Sequence, residues 1–500
     1  MYSVLSSEEM KYCDTYTTEH FYVPTIVLME RAASRFLSRV EALGINMSKV
    51  LLVAGSGNNG GDGFAIARIL HERGVDVNIL FLGVQNHMSP ETRENYNSCI
   101  SYKIPFRNSA KDKKYTLVID ALCGIGLSRD FDNKTISYIN EINSLKKMGA
   151  KIVSVDIPSG VDADTGKICS AVIKADYTIT FSYYKKGLLL YPGAEYVGEL
   201  YVENIGITEE SMVNVKPDMY VVSEDDIKNS NALRRAPHTN KGNYGKILLI
   251  VGSENMYGCA YLSALSCFKA GAGMVRIFTH KENKALLNDK LPEAIVDTYD
   301  SEPNLEKLSD ALRWADVVGI GPGIGKGSIA KKIFEFVFFK SQKPFIIDAD
   351  AIHLLRQYKM TLKNNSERDI IITPHIGEFA KFLDANKEDV LSNIVDTTTN
   401  VAKALHLTCV AKDSNTIIAS NTGECVINIT GNDGMAVAGM GDCLLGIIAA
   451  MRAKKLNSYE AAMYGCYIHG KAGDAAAKKV GKTGLLPTDL INELQGVMEA

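Results

Sequence analysis

The strongest constraint on this chain is a rhythm. Apolar runs of four to seven residues recur along it, each closing on a Gly- or Asp-rich turn and leading into a helical pattern. In the first part the runs lie at 50–54, 77–82, 117–122, 152–155 and 177–181. Runs this uniformly apolar read as strands buried on both faces, as in a parallel sheet covered by helices. The stretch 207–243 breaks the rhythm: it is polar and charged, carries Pro217 and Pro237, and reads as a connection. The rhythm then restarts at 247–251, 275–279, 317–320, 345–347, 370–373 and 409–411. A hairpin pattern follows, 416–419 and 425–429 around Asn421-Thr422-Gly423, and two helical patterns at 434–454 and 459–479 close the chain. Five hundred residues suit two α/β domains in series, with boundaries expected at 1–212 and 220–500.

Composition removes several classes of function. Hydrophobic residues at 46% and charged residues at 23% exclude wholesale disorder. With 55 Lys and Arg against 58 Asp and Glu, the net charge of -3 takes away the electrostatic case for a nucleic-acid partner. The ten cysteines are scattered without a CxxC pair, so neither structural zinc nor a disulfide framework is expected, and reduced thiols point to the cytoplasm. Glu8 and Glu9 stand where a signal peptide would carry bases, and no apolar stretch approaches the roughly 18–20 residues of a membrane helix. A cytoplasmic chain with no membrane partner is expected. Open sheet edges of this kind favour a homo-oligomer.

The most informative segment is Gly55-Ser-Gly-Asn-Asn-Gly-Gly-Asp-Gly63, after a strand and before a helix predicted at 64–73. A Gly-rich strand-to-helix turn exposes N–H groups at a positive helix end, which suits phosphate. The spacing matches neither the Walker loop nor GxGxxG, and Asn58, Asn59 and Asp62 add oxygen ligands that those motifs lack. Two further strand ends carry Asp120 and Asp156, the second running on into Ile157-Pro158-Ser159-Gly160. Either Asp alone is as readily a helix cap. Three such ends together read as a hard-oxygen site for a cation beside a phosphate, outside the carboxyl edge of a parallel sheet.

In the second part, Gly431-Asn-Asp-Gly434-Met-Ala-Val-Ala-Gly439-Met-Gly441-Asp442 leads into an apolar helix. Free N–H groups there stabilise a transferring phosphoryl group, and the carboxylate takes a proton from an attacking hydroxyl. Asp442 as an ordinary N-cap is the plainer alternative. The turn Gly319-Ile-Gly-Pro-Gly323-Ile-Gly325, the acids Asp348 and Asp350, and His375 with Glu378 stand at neighbouring strand ends. Lys412 suits a nucleotide phosphate or, equally, solvent.

The motifs NNGGDG, DALCGIGLSR and VDIPSGVDADTG resemble the epimerase domain of the NAD(P)H-hydrate repair family. GPGIG, DADAIHLL, TPHIGEF and GNDGMAVAGMGD are similar to its ADP/ATP-dependent NAD(P)H-hydrate dehydratase domain. The resemblance implies a Rossmann-like three-layer domain followed by a ribokinase-like α/β domain. It further implies that Asn58, Asn59, Gly60, Gly61 and Asp62 bind the substrate's phosphates, and that Asn59, Asp120 and Ser159 hold K⁺. Gly124, Ile125, Gly126, Leu127, Ser128, Arg129, Asp130 and Asp156 would contact the substrate, with Asp156 the acid/base of epimerisation.

In the second domain the resemblance implies that Gly323, the segment starting at His375, and Asp442 contact the hydrate. Lys412, Asp413, Ser414, Asn415 and Thr416, with Asn432, Asp433, Gly434, Met435, Gly439 and Gly441, would cradle ADP or ATP with Mg²⁺. Two departures are visible: Asp413 where the family has Gly, and Met440 where a small residue is usual. The residues alone also fit a small-molecule kinase, for a vitamin precursor or sugar, behind a non-catalytic binding module.

Overall fold

The computed structural model describes residues 1–111, 113–127, 129–230, 233 and 237–499. They divide into two units, Tyr2–Pro217 and Asp218–Ala500.

In the first unit, β2 (Lys49–Ala54), β3 (Asp76–Phe81), β4 (Phe106–Arg107), β5 (Leu117–Ala121), β6 (Lys151–Val155), β7 (Tyr177–Phe181) and β9 (Glu199–Glu203) form one sheet. Its order is β4-β3-β2-β5-β6-β7-β9, and every neighbouring pair is parallel. Alternation along β2 explains the layers. Val50, Leu52 and Ala54 face a core with Phe36 and Phe64 from helices Thr25–Ala42 and Asn58–Glu72. Leu51 and Val53 face Ile139 and Ile142 of helix Asn133–Lys146. A strand whose two sides are both buried has to be apolar throughout, which is the pattern the sequence carries. A short pairing joins β1 (Tyr2–Leu5) to β8 (Tyr184–Lys185) in parallel.

In the second unit the strands are β10 (Met219–Val221), β11 (Lys246–Ile250), β12 (Met274–His280), β13 (Ile295–Tyr299), β14 (Val317–Ile320) and β15 (Phe345–Ile347). They are followed by β16 (Ile370–Ile372), β17 (Thr408–Ala411), β18 (Thr416–Ala419) and β19 (Cys425–Asn428). Their order is β13-β12-β11-β14-β15-β16-β17-β18-β19-β10, with β18 antiparallel to both β17 and β19 and the remaining pairs parallel. Helices Tyr257–Lys269, Met440–Ala453 and Ser458–Val480 bury the face carrying Ile247, Leu249 and Ile277.

Several boundaries differ from those predicted. The first glycine motif is itself the first turn of helix Asn58–Glu72, so the helix starts six residues before 64. The predicted helix 434–454 begins at Met440. The polar stretch read as connection holds β10, which joins the second sheet, and helix Glu224–Asn229. β4, β9 and β13 are only partly buried, so their residues lack the apolar signal of central strands. All ten cysteines are free thiols. Among the described residues no helix is long and apolar enough to cross a membrane.

Candidate active sites

In the first sheet the strand order reverses between β2 and β5, where an open α/β sheet leaves a crevice at its carboxyl edge. Glycine is required there by space. A Cβ on Gly55 would lie 2.0 Å from the Leu122 carbonyl oxygen, and one on Gly60 would lie 2.1 Å from that of Gly55. The cap position Gly57 supplies no side chain to the first helical N–H groups, so the backbone around exposed Asn58 is available to an anion. Gly61 is equally cramped, against Thr92 and Met29.

Asn59 is buried and its Nδ2 donates to the Cys123 carbonyl at 2.9 Å, while its Oδ1 is buried with no hydrogen-bond partner. Asp120 is fully buried on β5. Its Oδ1 accepts from Ser159 Oγ at 2.6 Å, and its Oδ2 from Ser154 Oγ at 2.8 Å and Ser159 N at 2.9 Å. Burial nevertheless holds its carboxyl above the ordinary range, the Ser159 bonds only partly offsetting it. Ser159 Oγ in turn accepts from Cys123 N at 2.9 Å. Asn59 and Ser159 thus meet through Cys123 while Asp120 bonds Ser159 directly, and the cap role for Asp120 is excluded because its bonds run to Ser154, Ser159 and its own turn.

Asp156 follows β6 with a φ of 64°, a conformation that residues with a side chain rarely adopt. Its Oδ1 accepts from Lys185 Nζ at 2.6 Å, Thr180 Oγ1 at 2.9 Å and Phe181 N at 3.2 Å. Half-buried Asp62 has its carboxyl pushed well above the usual range, by burial first and then by Asp156 and Asp14, against the pull of Lys185.

Gly124 lies against Asn59, since a Cβ there would be 3.1 Å from the Asn59 Cβ. Ile125 and Leu127 are half-buried, while Gly126, Arg129 and Asp130 are exposed. Ser128 lies outside the described residues. Sequence reading missed Lys185 altogether.

In the second sheet the reversal falls between β11 and β14. Gly323 has a φ of 65° and no room for a Cβ, which would lie 2.5 Å from Cys259 Sγ at the start of helix Tyr257–Lys269. Asp348, after β15, is buried and its Oδ1 accepts from Thr373 Oγ1 at 2.7 Å and Lys412 Nζ at 2.8 Å. The Lys412 side chain is 21% exposed, which excludes the solvated alternative. Burial opposes its charge, yet Asp348, Glu378 and Asp442 outweigh burial and raise its pKa.

The start of helix Met440–Ala453 abuts this pair. A Cβ on Gly441 would lie 3.3 Å from Lys412 Nζ and 3.6 Å from Asp348 Oδ2. The helix is capped by Gly439, with a φ of 98° and no side-chain bond, so Asp442 sits inside the first turn and its plainer role as N-cap is excluded. Its carboxyl is pushed up to about 6 by burial first and Asp348 second, with Lys412 opposing.

His375 caps helix Ile376–Leu383 through Nδ1, which accepts from Gly377 N at 3.0 Å and Glu378 N at 3.3 Å. It also borders a cavity of about 160 Å³ with Asp350, His353, Glu378 and Lys326. Asp413 and Ser414 are exposed; Asn415 and Thr416 are half-buried. Exposed Asp433 pairs with Lys482 at 2.6 Å. Asn432 Oδ1 accepts from Gly434 N at 3.1 Å, and its Nδ2 donates to Asp474 Oδ1 at 2.9 Å. Met435 packs where a Cβ on Gly473 would be, 2.2 Å from its sulfur. Half-buried His469, pushed down to about 4 by burial, bonds the Met440 carbonyl at 3.0 Å. Asp474 and His469 therefore tie the 431–441 loop to helix Ser458–Val480, a role no local motif announced.

Two parallel α/β units, each with acids and glycines gathered at its switch point, define a two-site enzyme acting on small phosphorylated molecules. Residues 247–496 match the family model described as NAD(P)H-hydrate dehydratase, and residues 25–187 match that of the YjeF-related protein N-terminus. The chain is 34% identical to the bifunctional NAD(P)H-hydrate repair enzyme Nnr of Thermofilum pendens, over 98% of this chain and 95% of that one. It is 34% identical to the enzyme of the same name from Escherichia coli, over 90% and 84%. A ribokinase-like superfamily protein of Enterococcus faecalis superposes with a TM-score of 0.50 and 29% identity, over 57% of this chain and 96% of that one. The chain belongs to the family of bifunctional NAD(P)H-hydrate repair enzymes.

Proposed function

We propose that the first unit interconverts the R and S forms of NADH or NADPH hydrate. The second dehydrates the S form back to NAD(P)H at the expense of ADP, or of ATP, releasing phosphate. In these hydrates water has added across the nicotinamide 5,6 double bond, leaving a hydroxyl on carbon 6. Asp442 takes the proton of that hydroxyl, and the oxygen attacks the terminal phosphorus of the nucleotide. The resulting phosphate ester is a good leaving group. It departs as the ring nitrogen lone pair moves in, and loss of a carbon-5 proton restores the double bond.

The observation that carries this reading is Asp442 with its carboxyl pushed up to about 6, beside the half-buried Lys412 at a helix start whose cap, Gly439, makes no side-chain bond. A base titrating close to working pH is ionised yet able to accept a proton. Lys412 and the free N–H groups would meet the transferring phosphoryl, and Mg²⁺, where bound, neutralises charge on the nucleotide phosphates.

In the first unit, Asn58 to Asp62 bind the substrate's phosphates and Asp156 moves the proton. The buried Asn59 Oδ1 without a donor, beside the Asp120 carboxylate and Ser159 hydroxyl, has the hard-oxygen chemistry of a K⁺ site. A bound K⁺ would supply a fixed positive charge next to the substrate's phosphates.

The test is phosphate release measured alongside absorbance in the NADH band, with (S)-NADH hydrate, Mg²⁺ and ADP or ATP. Equal amounts of phosphate and NADH are expected. A stable phosphorylated product without NADH would make the second unit a small-molecule kinase.

A further inference from the structure

Lys185 is the only fully buried lysine among the described residues, 1% exposed, and no motif of the first unit accounts for it. Its backbone is fixed by the parallel pairing of β8 with β1, where it stands opposite Leu5. Its ammonium has three N–H groups and three acceptors: Asp156 Oδ1 at 2.6 Å, Thr180 Oγ1 at 2.9 Å and the Phe181 carbonyl at 2.9 Å. Thr180 accepts from Lys185 and donates to Asp156, so the direction of every bond in the triangle is set. Lys185, Thr180 and Phe181 N all converge on the same oxygen of Asp156.

We propose that Lys185 is a positioning residue for epimerisation, clamping Oδ1 of Asp156 so that Oδ2 is the oxygen presented to the substrate. The inference rests on Asp156 being the acid/base of the first unit. Lys185 itself has no N–H group left over and almost no exposed surface, so it acts through Asp156. The backbone of Asp156 sits at a φ of 64°, a strained geometry that persists only where its surroundings over-determine it. The clamp provides that. Asp62 on helix Asn58–Glu72 faces both Asp156 and Asp14 of helix Ser7–His20. Lys185 is the cation paired with Asp156 in this acidic surrounding.

The test uses the full chain without nucleotide, following R-to-S conversion of NADH hydrate by chromatography across pH. K185M is expected to lower kcat by ~100-fold at neutral pH with KM within about threefold, the split expected of a group that acts on the reacting proton. T180V, which trims the clamp and keeps the charge, should lower kcat in the same way by less. D156N should lower conversion to a residual rate at or below that of K185M, and D156N/K185M should match D156N.

A wild-type kcat in K185M, a change in KM alone, or a double variant slower than D156N would overturn the role of Lys185 while leaving Asp156 standing. Should K185M fail to fold, an unchanged kcat in T180V overturns it equally. Full conversion by D156N would instead remove Asp156 as the acid/base, and the clamp with it.

Discussion

Replacing Asp442 with Asn separates what the carboxylate does from what it costs. Its carboxyl lies at about 6 against an ordinary 3.8, a displacement of about two pH units, chiefly from burial. Fully expressed, that displacement corresponds to about 3 kcal/mol. Asp442 is half-buried, so solvent screening leaves ~1–2 kcal/mol. The sign follows from proton binding. Between about pH 4 and 6 the native state holds its proton while the unfolded chain has lost it, so stability falls as pH rises through that window and stays lowered above it. D442N removes the ionisation and should stabilise the second unit at pH 8 but not at pH 4. For a unit of this size the gain is about 2–8 °C in Tm. Trp314, the single tryptophan, lies on helix Leu305–Trp314 of the second unit, so its fluorescence reports that unit's unfolding alone. The same variant should lose ~10²–10⁴-fold in dehydration. A Tm gain of equal size at both pH values, or none at either, would refute the assignment of a raised, burial-driven carboxyl.

In the unsubstituted chain the dehydration rate should fall ~tenfold per pH unit below about 6, as Asp442 takes up its proton; a flat profile to pH 5 would contradict this. Lys412→Met leaves buried Asp348 without its cation and should destabilise the second unit by ~3–5 kcal/mol, read as a lowered denaturant midpoint. Adding Asp348→Asn should restore stability and not dehydration. Gly60→Ala, whose Cβ meets the Gly55 carbonyl at 2.1 Å, should abolish epimerisation and leave dehydration of the S form intact in the same preparation. Asn59→Ala should reduce the stimulation of epimerisation by K⁺ over Li⁺; unchanged stimulation would move the cation elsewhere.

The central strands and the glycine turns were legible because both signals are local. A doubly buried strand must be apolar, and a backbone pressed on another backbone must be glycine. The same close packing explains where the reading of helix Asn58–Glu72 stopped short. Gly60, Gly61 and Gly63 each lower helix propensity by about 1 kcal/mol, so the pattern reads as a loop until Phe64. In the fold those glycines let the helix start against Gly55, Met29 and Ala121, and tertiary packing overrides propensity. β10 was hidden for the opposite reason: three residues inside a polar stretch give no periodicity to detect.

The acids at strand ends were visible, but their partners were not. Asp348 meets Lys412 across 64 residues of chain and Asp156 meets Lys185 across 29. Asp474 reaches Asn432 from a helix that carries no motif of its own. Such pairs arise from strand order, which brings distant carboxyl ends together and leaves no trace in spacing.

A mixture of (R)- and (S)-NADH hydrate, given Mg²⁺ and ADP and then, separately, ATP, puts both units to work in one cuvette. Recovery of the whole NADH band with at least one nucleotide is the expected result, because dehydration of the S form alone would stop once that form is exhausted. A plateau at the starting S fraction would contradict the epimerase role of the first unit. No recovery with either nucleotide would contradict the repair function itself.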